Sequence, residues 1–351
     1  MKKSLVMALA VSTVISVAGT AFAADAPKPG GFTFDGGIYN QYRIQRDSNN
    51  VSPTPDNTKT GFRTMFKLNA NMNITDNLNF YARYTYENIN VGTSINGKDF
   101  MSNTGGNYKY NNAIDAFGLK YNNAGIKYTI GSQPLTLGGG ILYDNWYIGK
   151  HANPYAAKIE GKVGATNLMA VYAKTNYQDS IANDKFYSIQ GNYNINRKAT
   201  VGAMFAHVSY GNDTVTRMVF PYTSLNAFSV YGSYYLTDKL TASTEYLKTN
   251  AALDNKAYTL DLSYKIDPRN TFGIGYYRAE ENTSIIDYNL YDMTATDNNN
   301  TKGWNFYWTN KLNKNLTLSV TDFIYTKINA TSNTGGGSDR NRFTANLAVS
   351  F

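Results

Sequence analysis

The chain has 351 residues, among them 30 Tyr, 17 Phe and 3 Trp, with two His, no Cys and a formal net charge of +8. Without Cys there are no disulfides or thiolate metal sites, and two His exclude a histidine-rich metal centre, so no cofactor is expected. The positive charge is scattered and not clustered in a basic run, which argues against a nucleic-acid partner.

The first residues have the pattern of a bacterial export signal. Lys2 and Lys3 precede an apolar stretch, 5–17, which is too short to span a bilayer and is followed by small residues suited to cleavage. The alternative is an uncleaved anchor helix, but the apolar run ends early. We therefore expect a signal peptide over 1–23 and one mature domain over 24–351, which is 351 − 23 = 328 residues.

Apolar and polar residues alternate along almost the whole mature chain. Residues 62–74 and 78–87 show the pattern best, and Thr75-Asp76-Asn77 between them has the composition of a turn. Side chains two positions apart on a strand share a face. This segment therefore predicts a hairpin with one apolar face and one polar face.

Short turns alternate strictly with long polar connections. The short turns are expected near 75–77, 122–125, 164–167, 194–198, 237–239, 267–270 and 313–315. The long connections are expected near 45–59, 89–112, 133–154, 175–184, 209–224, 248–256, 280–301 and 328–341. This alternation predicts an all-β, transmembrane antiparallel barrel of about sixteen strands, with tight turns at one end and long loops at the other. A secreted β-sandwich or β-solenoid is the alternative, although no fixed repeat length supports a solenoid.

The third long connection, 133–154, is apolar where the other long connections are polar. Its burial would contribute roughly 25 cal/mol per Å², and the inside wall of the barrel is the nearest place for it. The glycines Gly138–Gly140 would let the chain turn inward. The alternative is that 141–148 forms another strand, which would raise the count toward about eighteen. On the inward path the pore-loop residues are Tyr143, Asp144, Trp146 and Lys150, with Tyr143 and Trp146 narrowing the opening.

Charged residues on the polar face are distributed unevenly. On the first six strands, eight inward cations, which are Arg43, Arg63, Lys67, Arg83, Lys120, Lys127, Lys158 and Lys162, oppose three acids, which are Asp35, Glu87 and Glu160. Later strands are mostly neutral and polar inside, apart from Glu245, Asp261, Lys265 and Lys311.

Part of this inward set is expected to form a basic wall at the pore constriction. The basic wall comprises Lys67, Arg83 and Lys158 near mid-height, Arg63 a little higher and Arg43 near the outer rim. Such a wall enriches anions in a narrow pore and predicts a mild anion preference. The alternative is that these charges are paired or solvated and set no selectivity.

His207-Val-Ser209 is the one arrangement with a catalytic pattern. Residues two apart on a strand share a face, so the imidazole could reach the hydroxyl. The segment loosely resembles the His-x-Ser-Asn-Gly pattern of outer-membrane phospholipases, but Tyr210 stands where that pattern has Asn. The alternative is an ordinary strand end.

The chain ends on a strand with one apolar face. Phe343, Ala345, Leu347, Val349 and Phe351 alternate with polar or small residues right up to the carboxylate. Such an ending suits a barrel whose apolar face meets lipid and whose other face meets a wet lumen. It also resembles the terminal-aromatic strand by which bacterial outer-membrane proteins are recognised, which makes Phe351 the expected assembly signal.

In layout the mature chain resembles the trimeric general porins of Gram-negative bacteria, with the closest local match over 117–133 leading into the third loop. The resemblance implies an outer-membrane homotrimer, embedded in lipid, that passes small hydrophilic solutes and ions and is not an enzyme. It also implies a third loop inside the lumen with acids facing a basic wall. This chain departs from that pattern, because its loop offers Asp144 as its single acid and carries Lys150 and His151. A lipid-acting barrel enzyme and an adhesin or structural barrel remain alternatives.

Overall fold

The computed structural model describes residues 30–48, 57–91, 110–144, 153–175, 184–211, 222–285, 300–329 and 339–351. These residues form eighteen strands. The barrel strands are β1 (Phe32–Ser48), β2 (Asn57–Asn73), β3 (Leu78–Val91), β4 (Tyr110–Asn123), β5 (Ile126–Ser132), β8 (Tyr155–Val163), β9 (Thr166–Lys174), β10 (Lys185–Asn194), β11 (Ala199–Ser209), β12 (Ser224–Tyr235), β13 (Leu240–Thr249), β14 (Lys256–Lys265), β15 (Asn270–Ala279), β16 (Thr301–Lys311), β17 (Leu316–Lys327) and β18 (Asp339–Ser350). Two short strands, β6 (Thr136–Leu137) and β7 (Tyr143–Asp144), pair only with each other.

The sixteen longer strands form one closed antiparallel barrel, which confirms the predicted architecture. Each strand pairs with its neighbours along the chain, and β5 pairs with β8 across the third loop. Closure is made by β1 and β18, whose register runs from Gly37 opposite Ser350 to Ser48 opposite Asp339. Among the described residues no helix is long and apolar enough to cross a membrane.

The tight turns form because side chains at their first positions replace missing backbone partners. The Thr75 hydroxyl accepts hydrogen bonds from the backbone N–H groups of Asn77 (3.3 Å) and Leu78 (3.1 Å). Thr237 makes the same pair of bonds in the turn between β12 and β13. Thr, Asn and Asp favour turns for this reason, and all seven predicted short turns lie between the strands where they were expected.

One irregularity changes which side chains face the lumen. On β4, Ile114 pairs with Tyr84 and Ala116 pairs with Arg83, so Asp115 is an extra residue in a β-bulge. Strict alternation would place Asp115 outward, but the bulge turns it inward, where it is 4 % exposed. Among the side chains that the structure describes, four acids therefore lie on the inner face of the first six barrel strands, and the prediction of three was wrong.

Candidate constriction of the barrel lumen

The third loop folds into the lumen as predicted, at least through residue 144, where the described part of the loop ends. Along its hairpin β6–β7, side chains point alternately to the two faces, as in other two-stranded ribbons. Leu137, Ile141 and Leu142 are fully buried and Tyr143 is 1 % exposed, although none of them lies in the barrel wall. The Tyr143 ring packs against Phe186 of β10, with centroids 5.1 Å apart. The alternative of an additional wall strand is therefore excluded for residues 141–144.

The wall beneath this hairpin is apolar, which differs from the neutral polar wall expected for the later strands. Inward positions at the loop end of β9–β15 carry small or apolar side chains that are almost fully buried with the loop. They are Val171, Ala173, Met204, Ala206, Ala227, Leu247, Ala257 and Ala279. Alanine at so many positions leaves room for the hairpin against the wall. The inner wall of these strands is polar, as predicted, only toward the end of the barrel that carries the short turns.

A polar anchor fixes the same hairpin to the wall. The Glu245 carboxylate of β13 accepts hydrogen bonds from the backbone N–H groups of Gly139 (3.0 Å) and Ile141 (3.2 Å). The Gln190 side-chain oxygen of β10 accepts another from the Gly138 N–H at 2.9 Å. From the sequence, Glu245 was predicted only to be an inward acid, since nothing local to β13 indicates that a loop a hundred residues earlier binds there.

The other face of the hairpin looks toward the open side of the lumen. Thr136 is exposed, and its hydroxyl donates a hydrogen bond to the Asp144 carboxylate at 2.5 Å. Partial burial raises the pKa of Asp144, although the bond from Thr136 opposes the shift. Tyr143 was expected to face the opening, but its side chain faces the wall. Trp146 and Lys150 lie outside the described residues.

A second segment also folds inward, where an exposed loop had been predicted. After β15, Thr283 is fully buried and Ile285 is 1 % exposed. The Ile285 N–H donates to the backbone oxygen of Leu142 at 2.9 Å, which ties this segment to the third loop. The expectation of an exposed connection is therefore wrong for residues 283–285.

The basic residues lie on the opposite wall, formed by β18, β1–β5 and β8, and most of them are paired. Arg63 is buried and forms an ion pair with Glu87. Arg43 is 4 % exposed and, like Arg63, lies close enough to Tyr39 to act on its hydroxyl electrostatically. Arg342 of β18, which was not predicted as part of the basic wall, is 2 % exposed and donates to the Gln45 side chain at 3.1 Å.

Lys67 and Arg83 lie together near mid-height. The Arg83 guanidinium binds Asp115 in a two-pronged pair, Nε to Oδ1 at 2.6 Å and Nη2 to Oδ2 at 3.0 Å. Lys67 lies within electrostatic reach of this pair and of Arg63 and Glu87. Within the described part of the chain, Lys67 itself forms no ion pair. It is the mid-height cation whose charge is least neutralised by a direct partner.

Lys158 belongs to a different group from Lys67 and Arg83. Its ammonium lies 3.2 Å from Glu160, which also binds Lys127 at 3.2 Å. Lys120 lies within electrostatic reach of all three. This second cluster sits on β4, β5 and β8, so the charged wall carries two groups of paired residues.

Comparison with solved structures identifies the architecture. A triple mutant of the porin of Rhodopseudomonas blastica has a TM-score of 0.55 and 10 % sequence identity, over 92 % of this chain and 100 % of that chain. A double mutant of the same porin gives a TM-score of 0.56 at 10 % identity with the same coverage. A structure described as asymmetric conductivity of engineered proteins gives 0.55 at 11 % identity, again over 92 % and 100 %.

The chain has the porin fold. The likeness at this identity concerns the fold alone. No protein-family model matches the sequence, and a search of curated proteins finds no match either.

On the outer face of this porin-type barrel, the His207–Ser209 pattern forms a hydrogen-bonded chain. Ser209 Oγ lies 3.3 Å from His207 Nε2, and His207 Nδ1 lies 2.7 Å from the Asn226 side-chain oxygen. The next backbone donors are already used: Tyr210 N–H donates to the backbone oxygen of Thr223, and Gly211 N–H donates to Asp184. Ester hydrolysis needs free donors for the developing oxyanion. The described residues therefore provide a nucleophile and a base, but these neighbouring N–H groups are not free to bind an oxyanion.

Proposed function

We propose that this protein is a porin, a water-filled channel for passive diffusion of small hydrophilic solutes and ions. The observation that carries the proposal is the position of the third loop. Its apolar face is packed on β9–β15, while charged side chains line the wall opposite. A loop bound to one side of a closed barrel narrows the passage without plugging it, and the charged wall keeps that passage wet.

Planar-bilayer recording of the purified protein tests this proposal. We expect discrete, long-lived conductance steps, and uptake by protein-containing vesicles that falls with the size of a neutral sugar. A barrel that inserts without conducting would contradict the proposal and would favour the adhesin or structural alternative.

We propose a mild anion preference for this channel. Among the described side chains on the inner face of β1–β5 and β8, eight cations stand against four acids, and Arg340 and Arg342 of β18 add two more cations. The acids neutralise some of these cations by direct pairing, so the remaining positive charge is carried by cations such as Lys67. A reversal potential of cationic sign in a salt gradient would refute this preference.

The proposed location is the outer membrane of a Gram-negative bacterium, with lipid as the surrounding partner. The outward side chains support it, because aromatic and aliphatic residues remain exposed all round the barrel, for example Ile114, Ile189, Phe228, Tyr258 and Trp304. A water-soluble protein rarely exposes so continuous an apolar surface. Density-gradient fractionation of membranes tests the location.

Processing and assembly complete the proposal. We propose cleavage of residues 1–23 before assembly of the mature domain 24–351, and a homotrimer as the functional unit, by analogy with general porins. The intact mass of the membrane protein should correspond to a chain that begins at Ala24. Native mass measurement in mild detergent should give three copies, and a strictly monomeric protein would contradict the trimer.

A further inference from the structure

The polar anchor of the third loop is built around one buried side chain. Glu245 is 2 % exposed, and its two carboxylate oxygens accept the Gly139 and Ile141 backbone N–H groups at 3.0 and 3.2 Å. The Ser229 hydroxyl donates a third bond to the same carboxylate. Nearby backbone N–H groups that converge in this way form a concave site for an anion. Here the anion is a side chain of the barrel wall.

Glycine is required on the loop side of this contact. A Cβ atom at Gly138 would lie 2.6 Å from Glu245 Oε1, and one at Gly139 would lie 2.7 Å from Oε2. Gly138 also has a φ of 62°, in the left-handed region that favours glycine. The two glycines thus do more than turn the chain inward, because they let two loop N–H groups converge on one carboxylate.

The apolar and polar contacts of the loop have different consequences. Burial of Leu137, Ile141 and Leu142 holds the hairpin against the wall, but apolar burial is non-directional and sets no single position. Hydrogen bonds to an ionised carboxylate are directional and about twice as strong as bonds between neutral groups. Glu245 lies four strands beyond β9, where the apolar footprint begins. It therefore fixes how far the hairpin reaches around the wall.

We propose that Glu245 is the positioning residue of the constriction: its carboxylate, held by the Gly139 and Ile141 N–H groups, sets where the third loop lies and thereby the width of the opening. The proposal rests on the proposed channel function and deepens it. Without the carboxylate, the hairpin stays in the lumen through its apolar contacts but occupies several positions. The loop N–H groups then form an empty anion site.

Single-channel recording of Glu245→Ala tests this proposal by loss and rescue. Removal of two hydrogen bonds to a charged group should lower the ratio of anchored to released loop on the order of 100-fold. In chloride, we expect several conductance levels in place of one open level. Acetate or formate as the electrolyte anion should restore a single level, because a small carboxylate fits the site that the side chain leaves.

Two matched variants distinguish the loss of the loop anchor from the loss of one negative charge in the lumen. Glu245→Gln loses the charge but keeps one acceptor oxygen, so we expect an intermediate effect. Asp261→Asn removes the same charge from a lumen acid that lies on β14, two residues from the strand partner of Glu245, and that is bonded by Tyr307 at 2.9 Å and not by the described part of the loop. This control should keep a single open level. A single open level for Glu245→Ala in chloride would overturn the proposal, as would sublevels that acetate does not reduce.

A second measurement is independent of conduction. The chain has no Cys, so a spin label at Thr136→Cys reports the exposed side of the hairpin alone. We expect one immobile spectrum with Glu245 present, and a mobile component with Glu245→Ala that acetate reduces. If the wild type forms no channel but the spectra behave in this way, the loop anchor stands and the channel proposal fails. An immobile spectrum in both proteins would overturn the anchor.

Discussion

Lys67 should govern charge selectivity more than any other single cation of the mid-height wall. A unit charge roughly 10 Å from a permeating ion contributes about 0.4 kcal/mol in water. At physiological salt, with a Debye length of about 8 Å, screening leaves about 0.12 kcal/mol, but at 0.01 M it leaves about 0.3 kcal/mol. The charge acts with opposite sign on cations and anions. Lys67→Gln should therefore lower the anion-to-cation permeability ratio about 1.5-fold at physiological salt and about 2.7-fold at 0.01 M.

Arg83→Gln is the informative comparison, because Arg83 is paired and Lys67 is not. Its loss removes the two-pronged contact of the Asp115 carboxylate, whose side chain is fully buried. Breaking a buried ion pair by removal of one member is strongly destabilising. We expect Arg83→Gln to destabilise the barrel more than Lys67→Gln does.

Reversal potentials in a tenfold salt gradient, recorded at high and at low mean salt, measure both variants. Thermal unfolding in detergent measures the stability difference. The reasoning fails if Arg83→Gln lowers the unfolding temperature no more than Lys67→Gln does, or if the Lys67→Gln shift does not grow as salt is lowered.

Three further predictions concern the loop, the chain end and the wall. Because burial raises the pKa of Asp144, the Asp144 carboxyl should take up a proton at a higher pH than an exposed carboxyl does. Docking of the loop favours the protonated form, so it is strongest at acidic pH and weakens as pH rises through the raised pKa. Acidification should strengthen anion preference in reversal-potential measurements, by less in Asp144→Asn. Deletion of Phe351, whose backbone pairs with β1, should reduce the yield of membrane-inserted barrel in fractionated cells. Gly273→Ala would place a Cβ 2.0 Å from the Tyr307 ring and should destabilise the barrel by about 1–3 kcal/mol. Heated gels should show this as a lower unfolding temperature. The control Gly161→Ala, whose Cβ would have no atom nearer than 3.7 Å, should leave the unfolding temperature unchanged.

The barrel was predictable because its signals are local. Alternation assigns a face to each residue, and Thr, Asn and Asp mark the turns by bonding to their own backbone. The inward third loop was predictable for a similar reason, since a run of exposed apolar residues is costly. In contrast, the direction of the loop inside the lumen depends on Glu245, which is a hundred residues away.

The candidate site was predicted less well where one local irregularity reverses a face. The bulge at Asp115 turns an apparent outward acid into the partner of Arg83. A bulge has no strong sequence signal, although an acid on an otherwise apolar face was a hint. The apolar inner wall had a clearer signal, since Ala206 and Ala227 occupy inward positions where a wet lumen favours polar side chains. The roles of the basic wall and of Phe351 remain predictions.

The pairing of β1 with β18 affects how this barrel folds. Each other strand meets its neighbour within a few tens of residues, but this seam joins Gly37 to Ser350. Until β18 pairs with β1, the sheet has two open edges with unpaired backbone groups, the feature that lets strands pair with other chains. Contacts so far apart along a chain also form slowly. The unfinished barrel therefore needs protection at both edges until β18 has paired, and a chain cut short before β18 forms a sheet that cannot close.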